Sequence, residues 1–402
     1  MTILLAIVLL LCILGVFHSY LFYPRWVADR ARSQVPRSGE GAPHSWEPGP
    51  DAEWPSVTVL MAAHNEEAVL EQKLQTLAAQ DYPGELSFLV GSDNSSDRTN
   101  DILKDFAATD ERLTYKVFTT RQGKPGIINQ LASRAGIEGI YLLTDASVML
   151  APNTITELVK PMLVEPEIGL VDTTMVQTGG TETGVGGAEA NYIDGEVAVK
   201  QAEGQLWRAM IGPFGGCFAL RARAFRPVPD NFLVDDFFLC MSAYEQGYGG
   251  ISQPTAIVEE TVGQQLQDEF RRKVRISSGN WQNLFRFRHL WWPPTRNPLS
   301  FALFSHKILR WWTPFLLLIG AVAWWGLALT TGNHIVLLSV ALVSALFIGG
   351  ALLDAVLAAF GINLPPLRAL RYFIAMNAAL LVGFYRFLTG IRSNVWQPSS
   401  RN

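Results

Sequence analysis

From Thr2 to Tyr23 the chain is almost wholly apolar, and three further apolar stretches follow near its other end: Trp312 to Leu329, Ile335 to Phe360 and roughly Tyr372 to Leu388. Each is long enough to cross a bilayer as a helix, which takes about 20 apolar residues. Charged residues make up 17% of the chain, against roughly 25% in a typical soluble domain, and mean hydropathy is positive at +0.17. A membrane protein with a sizeable soluble part is the expectation. The first stretch has no Lys or Arg before Arg25 and is too long for a cleaved signal peptide, so it reads as an uncleaved anchor. Arg25, Arg30, Arg32 and Arg37 follow it, which places the next segment in the cytoplasm and the N-terminus outside.

A net charge of −4 gives no case for nucleic acid as a partner. Cys12, Cys217 and Cys240 are far apart and define neither a disulfide framework nor a cysteine zinc site. Between the apolar ends, residues 25–55 read as a cytoplasmic linker, rich in Pro, Gly and Ser from Ser33 to Pro55. A soluble domain is expected over 56–290, where short apolar strands alternate with helical stretches. Val57–Ala62 and Leu86–Gly91 are strands; Glu66–Ala79 and Asp97–Phe106 are helices. That alternation predicts a mostly parallel sheet covered by helices on both faces, an α/β fold.

The strand ends carry the chemistry. In an open α/β sheet, ligands bind just beyond the carboxyl ends of the strands. The buried strand Ile140–Leu143 runs into Thr144-Asp-Ala-Ser147, so Asp145 stands where a carboxylate could hold a divalent cation against a diphosphate. The first strand leads into Ala62-Ala-His-Asn-Glu-Glu67 with no glycine-rich turn, which argues against a dinucleotide fold. The second leads into Gly91-Ser-Asp-Asn-Ser-Ser-Asp97, where Asp97 suits a helix N-cap and Asp93 could accept hydrogen bonds from a base edge. In Gly123-Lys-Pro-Gly-Ile-Ile-Asn129, a loop opening a helix, Lys124 could set a positive charge beside a diphosphate.

Taken in order, these motifs resemble the inverting family 2 glycosyltransferases with a GT-A fold, a Rossmann-like mostly parallel sheet. The resemblance is to membrane-embedded members such as cellulose, chitin, hyaluronan and poly-N-acetylglucosamine synthases, and covers Val57 to the tail. It implies that Ala63, His64 and Glu66 form a nucleotide loop, that Asp93 reads a uracil ring and that Lys124 meets the donor phosphates. It implies Asp145 as the first residue of a DxD metal pair for Mg²⁺ or Mn²⁺. The second position of that pair is Ser147, whose hydroxyl is a poorer ligand than a carboxylate.

Further along, Glu189, Glu196, Lys200 and Glu203 fall at helical spacing and read first as a solvated face, with acceptor contacts as the alternative. Phe214-Gly-Gly-Cys-Phe218 resembles the family's acceptor turn, implying Gly215, Gly216 and Cys217 at the acceptor. Val234-Asp-Asp-Phe237 resembles its Glu-Asp motif, with Asp236 as general base and Asp235 in the glutamate's place. Phe270 to Trp281 corresponds to its QxxRW segment: Arg275 matches the arginine, Arg272 replaces the glutamine and Ile276 replaces the tryptophan. An arginine there can clamp a diphosphate bidentately. The lost tryptophan weakens the inference of a long polymer product, and a basic helix binding anionic lipid is compatible with the same residues.

Residues 291–311 read as an interfacial helix region and 312–391 as about three spans, with the Thr331–His334 loop outside. The last stretch is read as a true span, leaving the tail at 392–402 outside; an interfacial course would keep the tail inside, as Arg386 and Arg392 favour. The expectation is a multi-pass inner (plasma) membrane enzyme that moves a sugar from a UDP-sugar to a polysaccharide or lipid-linked acceptor. Its rivals are a single-transfer lipid glycosyltransferase and a catalytically inactive nucleotide-sugar sensor.

Overall fold

The computed structural model describes residues 1–34, 46–178, 185–261, 266–362, 364–391 and 394, leaving aside the side chains of 185–194, 261 and 266–268. Much of the expected linker, the tail at 392–402 other than Asn394 and the side chain of Glu189 lie outside the described residues. The chain divides into two compact units. One comprises Met1–Trp26, Gly180–Gly195 and Gly263–Gly390, and the other Val27–Gly179, Glu196–Val262 and Ile391–Asn402.

The chain opens with α1 (Thr2–Phe17), which continues through a π-helical turn (His18–Phe22) into α2 (Tyr23–Gln34). Residues 25–34, expected in the linker, are thus helical. The sheet unit follows with β1 (Val57–Ala63), α3 (Leu70–Ala78), β2 (Leu86–Asp93), α4 (Thr99–Ala107), β3 (Leu113–Phe118), α5 (Gly123–Ala135) and β4 (Ile140–Thr144). Then come β5 (Val148–Leu150), α6 (Thr154–Val164), β6 (Ile168–Thr178), α7 (Val185–Trp207), β7 (Cys217–Arg221), α8 (Asp235–Glu245) and β8 (Gly249–Thr261).

One eight-stranded sheet results, in the order β3-β2-β1-β4-β7-β6-β8-β5. β3, β2, β1 and β4 are mutually parallel, whereas β7 pairs antiparallel with both β4 and β6. Every residue of β4 is buried, as a strand covered on both faces must be, which explains its unbroken apolar run. Because β1, β2 and β4 run in register from Val57, Leu86 and Ile140, their carboxyl ends open at one edge. That edge holds the loops after Ala63, Asp93 and Thr144. The fold is the expected α/β arrangement, with a more mixed second half than strand–helix alternation alone indicates.

The helical unit resumes with α9 (Leu266–Arg286), α10 (Arg288–Trp291) and α11 (Pro298–Leu303), which passes through a second π-helical turn (Phe304–Ile308) into α12 (Leu309–Thr331). It ends with α13 (His334–Ala359) and α14 (Pro365–Thr389). Helices α1 and α12 pack antiparallel, with Gly15 against Leu316, Gly320 against Cys12 and Gly326 against Leu5. Small residues allow such close approach where lipid offers no hydrophobic drive. A turn at Gly332, with φ +61°, reverses the chain, and Asn333 caps α13 by accepting from the Ile335 amide at 2.8 Å. Among the described residues, four helices, those ending at Gln34, Thr331, Ala359 and Thr389, are long and apolar enough to cross a membrane.

Candidate active site

The first two strand-tip loops are stitched to each other. The amides of Glu66 and Glu67 donate to Thr99 Oγ1 (2.9 Å) and Asp97 Oδ2 (3.0 Å), and the Arg98 amide donates to Glu67 Oε2 (3.0 Å). Asp97 also accepts from the Thr99 amide at 3.0 Å, but it stands one residue before the cap expected of it, since Arg98 is the residue that precedes α4. Burial raises its carboxyl pKa, but the hydrogen bonds from Thr99 and Glu67 outweigh this and hold it below its usual value.

Ala63 ends β1 as a buried residue, and His64 beyond it meets Asp93 O through Nδ1 (2.8 Å) and Arg121 Nη1 through Nε2 (2.5 Å). Since an arginine can only donate, Nε2 accepts and Nδ1 carries the proton. Asp93 is buried, and its carboxylate accepts from the amides of Gln122 (2.6 Å) and Gly123 (2.9 Å) and from Arg121 Nε (3.1 Å). Three bonds leave a carboxylate about one further acceptor direction. Asp93 therefore shapes the loop that carries Lys124, whatever it does toward a base. Arg121 is a site residue that the sequence reading missed.

Lys124 is where the elements converge. Standing in the first turn of α5, it sends its ammonium to Asp145 Oδ1 at 2.6 Å and to the Gly215 carbonyl at 3.2 Å, with Asp235 Oδ2 at 3.8 Å. Burial lowers its pKa, but the carboxylates of Asp145 and Asp235 prevail and hold it well above the usual lysine value. The Asp145 turn is in turn fastened to the glycine turn: the Asp145 amide and Thr144 Oγ1 both donate to the Gly216 carbonyl, at 2.9 and 3.0 Å.

Asp235 and Asp236 open α8, where the partial positive charge of a helix start favours anions. Asp236 Oδ1 accepts from the Phe237 amide at 2.7 Å, and its other oxygen lies so close over Gly215 that a Cβ there would overlap it. Glycine at 215 is thus a requirement of close approach. Gly216 is similarly pressed, by the Phe214 ring and Val148. Cys217 corrects the acceptor expectation: it starts β7 with no exposed surface, so no acceptor reaches its thiol, and burial pushes that thiol up to about 11.

A second correction concerns α7. Lys200 and Glu203 do not lie on a solvated face. Lys200 Nζ pairs with wholly buried Asp172 at 2.5 Å, and Glu203 accepts from the Ile211 amide at 3.2 Å. Asp172 also accepts from the Phe214 amide at 2.7 Å, so this pair braces the glycine turn from behind. Burial raises the Asp172 pKa, with Lys200 opposing.

Lys73 was not singled out in the sequence either. It has no exposed surface, and its ammonium donates to Thr144 Oγ1 (2.7 Å) and the Val148 carbonyl (2.5 Å), bridging the two ends of the Asp145 turn. Burial lowers its pKa to about 8, against the pull of Cys217 and Asp145.

Arg272 and Arg275 stand on α9 in the helical unit, where Arg272 Nε pairs with Glu269 at 3.3 Å. Among the described residues, no group of three or more His, Cys, Asp or Glu side chains is placed to hold a metal ion. Asp145 with Ser147 supplies one carboxylate and one hydroxyl. That donor set suits Mg²⁺ or Mn²⁺ shared with a nucleotide's phosphates, which needs only one or two protein carboxylates. It does not suit a metal caged by protein alone.

Comparison with known proteins agrees with this geometry. Residues 58–227 match the model of Glycosyl transferase family 2. The chain carries a family 2 glycosyltransferase domain with a GT-A-type sheet. It is 26% identical over 283 residues to "Probable glycosyltransferase YdaM" of Bacillus subtilis (strain 168), covering 67% of this chain and 65% of that protein. It is 26% identical over 239 residues to an N-acetylglucosaminyltransferase of Rhizobium leguminosarum bv. viciae, covering 54% of each. The chain therefore spans less than two thirds of the length of these relatives. In fold it is similar to the mannosyltransferase PcManGT from Pyrobaculum calidifontis, solved with GDP-Man and Mn²⁺: TM-score 0.70, 22% identity, 96% of this chain and 99% of that one.

Proposed function

We propose that the chain transfers a sugar, a hexose or N-acetylhexosamine, from a UDP-sugar to a hydroxyl of a polysaccharide or lipid-linked acceptor, with inversion at the anomeric carbon. The observation that carries this reading is the Lys124 ammonium, within 4 Å of Asp145, Asp235 and the Gly215 carbonyl at the strand tips. A fixed cation beside an acidic turn and a pair of carboxylates is what a departing diphosphate and an acceptor hydroxyl together require.

In this reading Asp236 takes the proton of the acceptor hydroxyl. The freed oxygen bonds to the anomeric carbon as the bond to the diphosphate breaks, and the nucleoside diphosphate leaves with the electron pair. Lys124 neutralises charge on the leaving oxygens, Arg275 is assigned a second cationic contact to them, and Asp235 orients its neighbour. Ala63, His64, Glu66 and Asp93 are assigned to the nucleotide, Arg272 to the diphosphate, and Gly215 and Gly216 to the acceptor. A divalent Mg²⁺ or Mn²⁺, held by Asp145 and Ser147, supplies Lewis-acid stabilisation of the diphosphate when bound. The four long apolar helices support a multi-pass place in the plasma membrane, with the sheet unit cytoplasmic and α1 starting outside. Ile276, in place of the tryptophan of polymer-making relatives, favours a short product or a single transfer to a lipid as the second reading.

Mass analysis of products made by the purified full chain from panels of UDP- and GDP-sugars tests this directly. Transfer from a UDP-sugar is expected. Binding of UDP-sugars with no transfer to any acceptor would leave only the sensor, and transfer from GDP-sugars alone would overturn the donor assignment.

A further inference from the structure

We propose that α14 does not cross the bilayer but lies along its surface, on the side where α1 leaves, with its outer face against the headgroup and acyl boundary of that leaflet. The inference is independent of catalysis and replaces the sequence-based expectation of a fourth span.

Depth within the helical unit is fixed by the α1–α12 pair. Gly15 faces Leu316, so Phe315 stands level with Gly15 to within one residue, while Tyr20 lies about 8 Å further toward the end where α1 exits. Arg310 stacks over Tyr20, marking that end of α12 as well. Helix α14 touches both marks. Phe373 meets Tyr20 with ring centroids 6.3 Å apart, and Phe384 meets Phe315 at 5.0 Å. Those two α14 residues are about 16 Å apart along their own helix, yet their partners differ in depth by only about 6 Å. At that slope the 25 residues of α14, about 37 Å long, change depth by about 14 Å, less than half the ~30 Å hydrocarbon core.

The neighbours of α14 say the same. Its later turns run beside α9: Ser277 Oγ donates to the Leu380 carbonyl at 2.9 Å, Ser278 Oγ to the Gly383 carbonyl at 3.1 Å, and a Cβ at Gly383 would overlap Ser277. Trp281 and Phe285 continue the contact onto Phe384 and Phe387. Helix α9 carries Arg271, Arg272, Lys273 and Arg275 on one side of this contact and Arg286 on the other. Such a helix cannot lie in hydrocarbon, and it holds α14 at its own depth. Cations also flank α14 at both ends, with Arg368 and Arg371 at the start and Arg386 near the finish. Arg371 reaches the buried Asp354 of α13 at 3.1 Å. A crossing would carry one cluster to the far side, against the usual distribution of Lys and Arg. Exposed Val382, Tyr385 and Leu388 beside Arg386 form the mixed apolar and cationic face of an interfacial helix. By contrast α13 exposes Leu338, Leu342 and Leu346, has Asp354 as its one charged side chain, and crosses.

Single cysteines in a background lacking Cys12, Cys217 and Cys240 test the course. Ser33→Cys, His334→Cys, Ile362→Cys and Ser399→Cys are exposed in sealed membranes to a membrane-impermeant maleimide. Ser33→Cys, Ile362→Cys and Ser399→Cys should be labelled from one side and His334→Cys from the other. If Ser399→Cys labels with His334→Cys, α14 crosses and the proposal is wrong. If Ile362→Cys labels with His334→Cys, α13 is the helix that fails to cross, and the proposal is equally wrong. As a measure that does not depend on sidedness, a nitroxide at the exposed Ala378→Cys, midway along α14, should report headgroup-level depth in lipid vesicles. A depth at the bilayer centre would overturn the assignment.

Discussion

Asp236 and Lys73 are the two residues at which chemistry and support separate. A general base acts only in the transition state, so its loss lowers turnover and spares donor affinity. Asp236→Asn keeps the shape of the side chain over Gly215 and removes its basicity. It should bind UDP-sugar as the wild type does and transfer about 10²- to 10⁴-fold more slowly. Asp235→Asn should retain more activity. Donor binding and turnover measured on the same preparation check this, and a dead Asp235→Asn beside a normal Asp236→Asn would move the base by one residue. Lys73→Met removes both hydrogen bonds across the Asp145 turn, so UDP affinity by calorimetry should fall about tenfold, the equivalent of one modest hydrogen bond. Lysine at 73 also gives stability a pH signature. Its pKa falls from 10.5 to about 8 on folding, so between those values the unfolded chain binds more protons and unfolding free energy rises with pH. The rise is worth about 3 kcal/mol at most. Unfolding midpoints taken from pH 7.5 to 9.5 should climb for the wild type relative to Lys73→Met; parallel curves would show that Lys73 does not titrate there.

Elements explain what could be read beforehand and what could not. Strands β1, β2 and β4 announce themselves because each is an apolar run ending in a polar turn. The structure extends β2 to Asp93 and β4 to Thr144, each by the residues that carry the site inward. Helix α3 starts at Leu70, later than the expected Glu66, because Val69 before it, at φ −127°, lies outside helical geometry. Lys73, flanked by polar Glu71 and Gln75 across the turn, holds the i+3 position from Leu70, beside Leu74 and Leu77, on the buried face. That register was the available signal. Lys200 and Glu203 gave no such sign, since only the fold brings Asp172 and Ile211 to them. The glycine turn before β7 was legible as a motif, but its pressure on Asp236 is a three-dimensional fact. Gly215→Ala should therefore displace the Asp236 carboxylate, and if that group is the proposed base, turnover should drop at least tenfold while UDP affinity stays within about twofold, read from kinetics and calorimetry together. An active alanine variant would show that the carboxylate has room to move.

At the scale of the whole molecule, sidedness follows from charge. Arg25, Arg30, Arg32 and Arg37 follow the first apolar helix, whereas the turn from Thr331 to His334 between α12 and α13 holds no Lys or Arg. Short loops rich in Lys and Arg stay in the cytoplasm. The segment after α1, and the sheet unit that continues from it in sequence, should thus face the cytoplasm, where nucleotide sugars are made available, and the Gly332 turn should face out. A cysteine at Ser38 in a cysteine-free background should resist an impermeant thiol reagent in intact cells and react once they are opened; one at Gly332 should react in both. Reversal of that pattern would place the donor site outside the cell. It would also break the link between the arginine cluster and orientation on which the assignment rests.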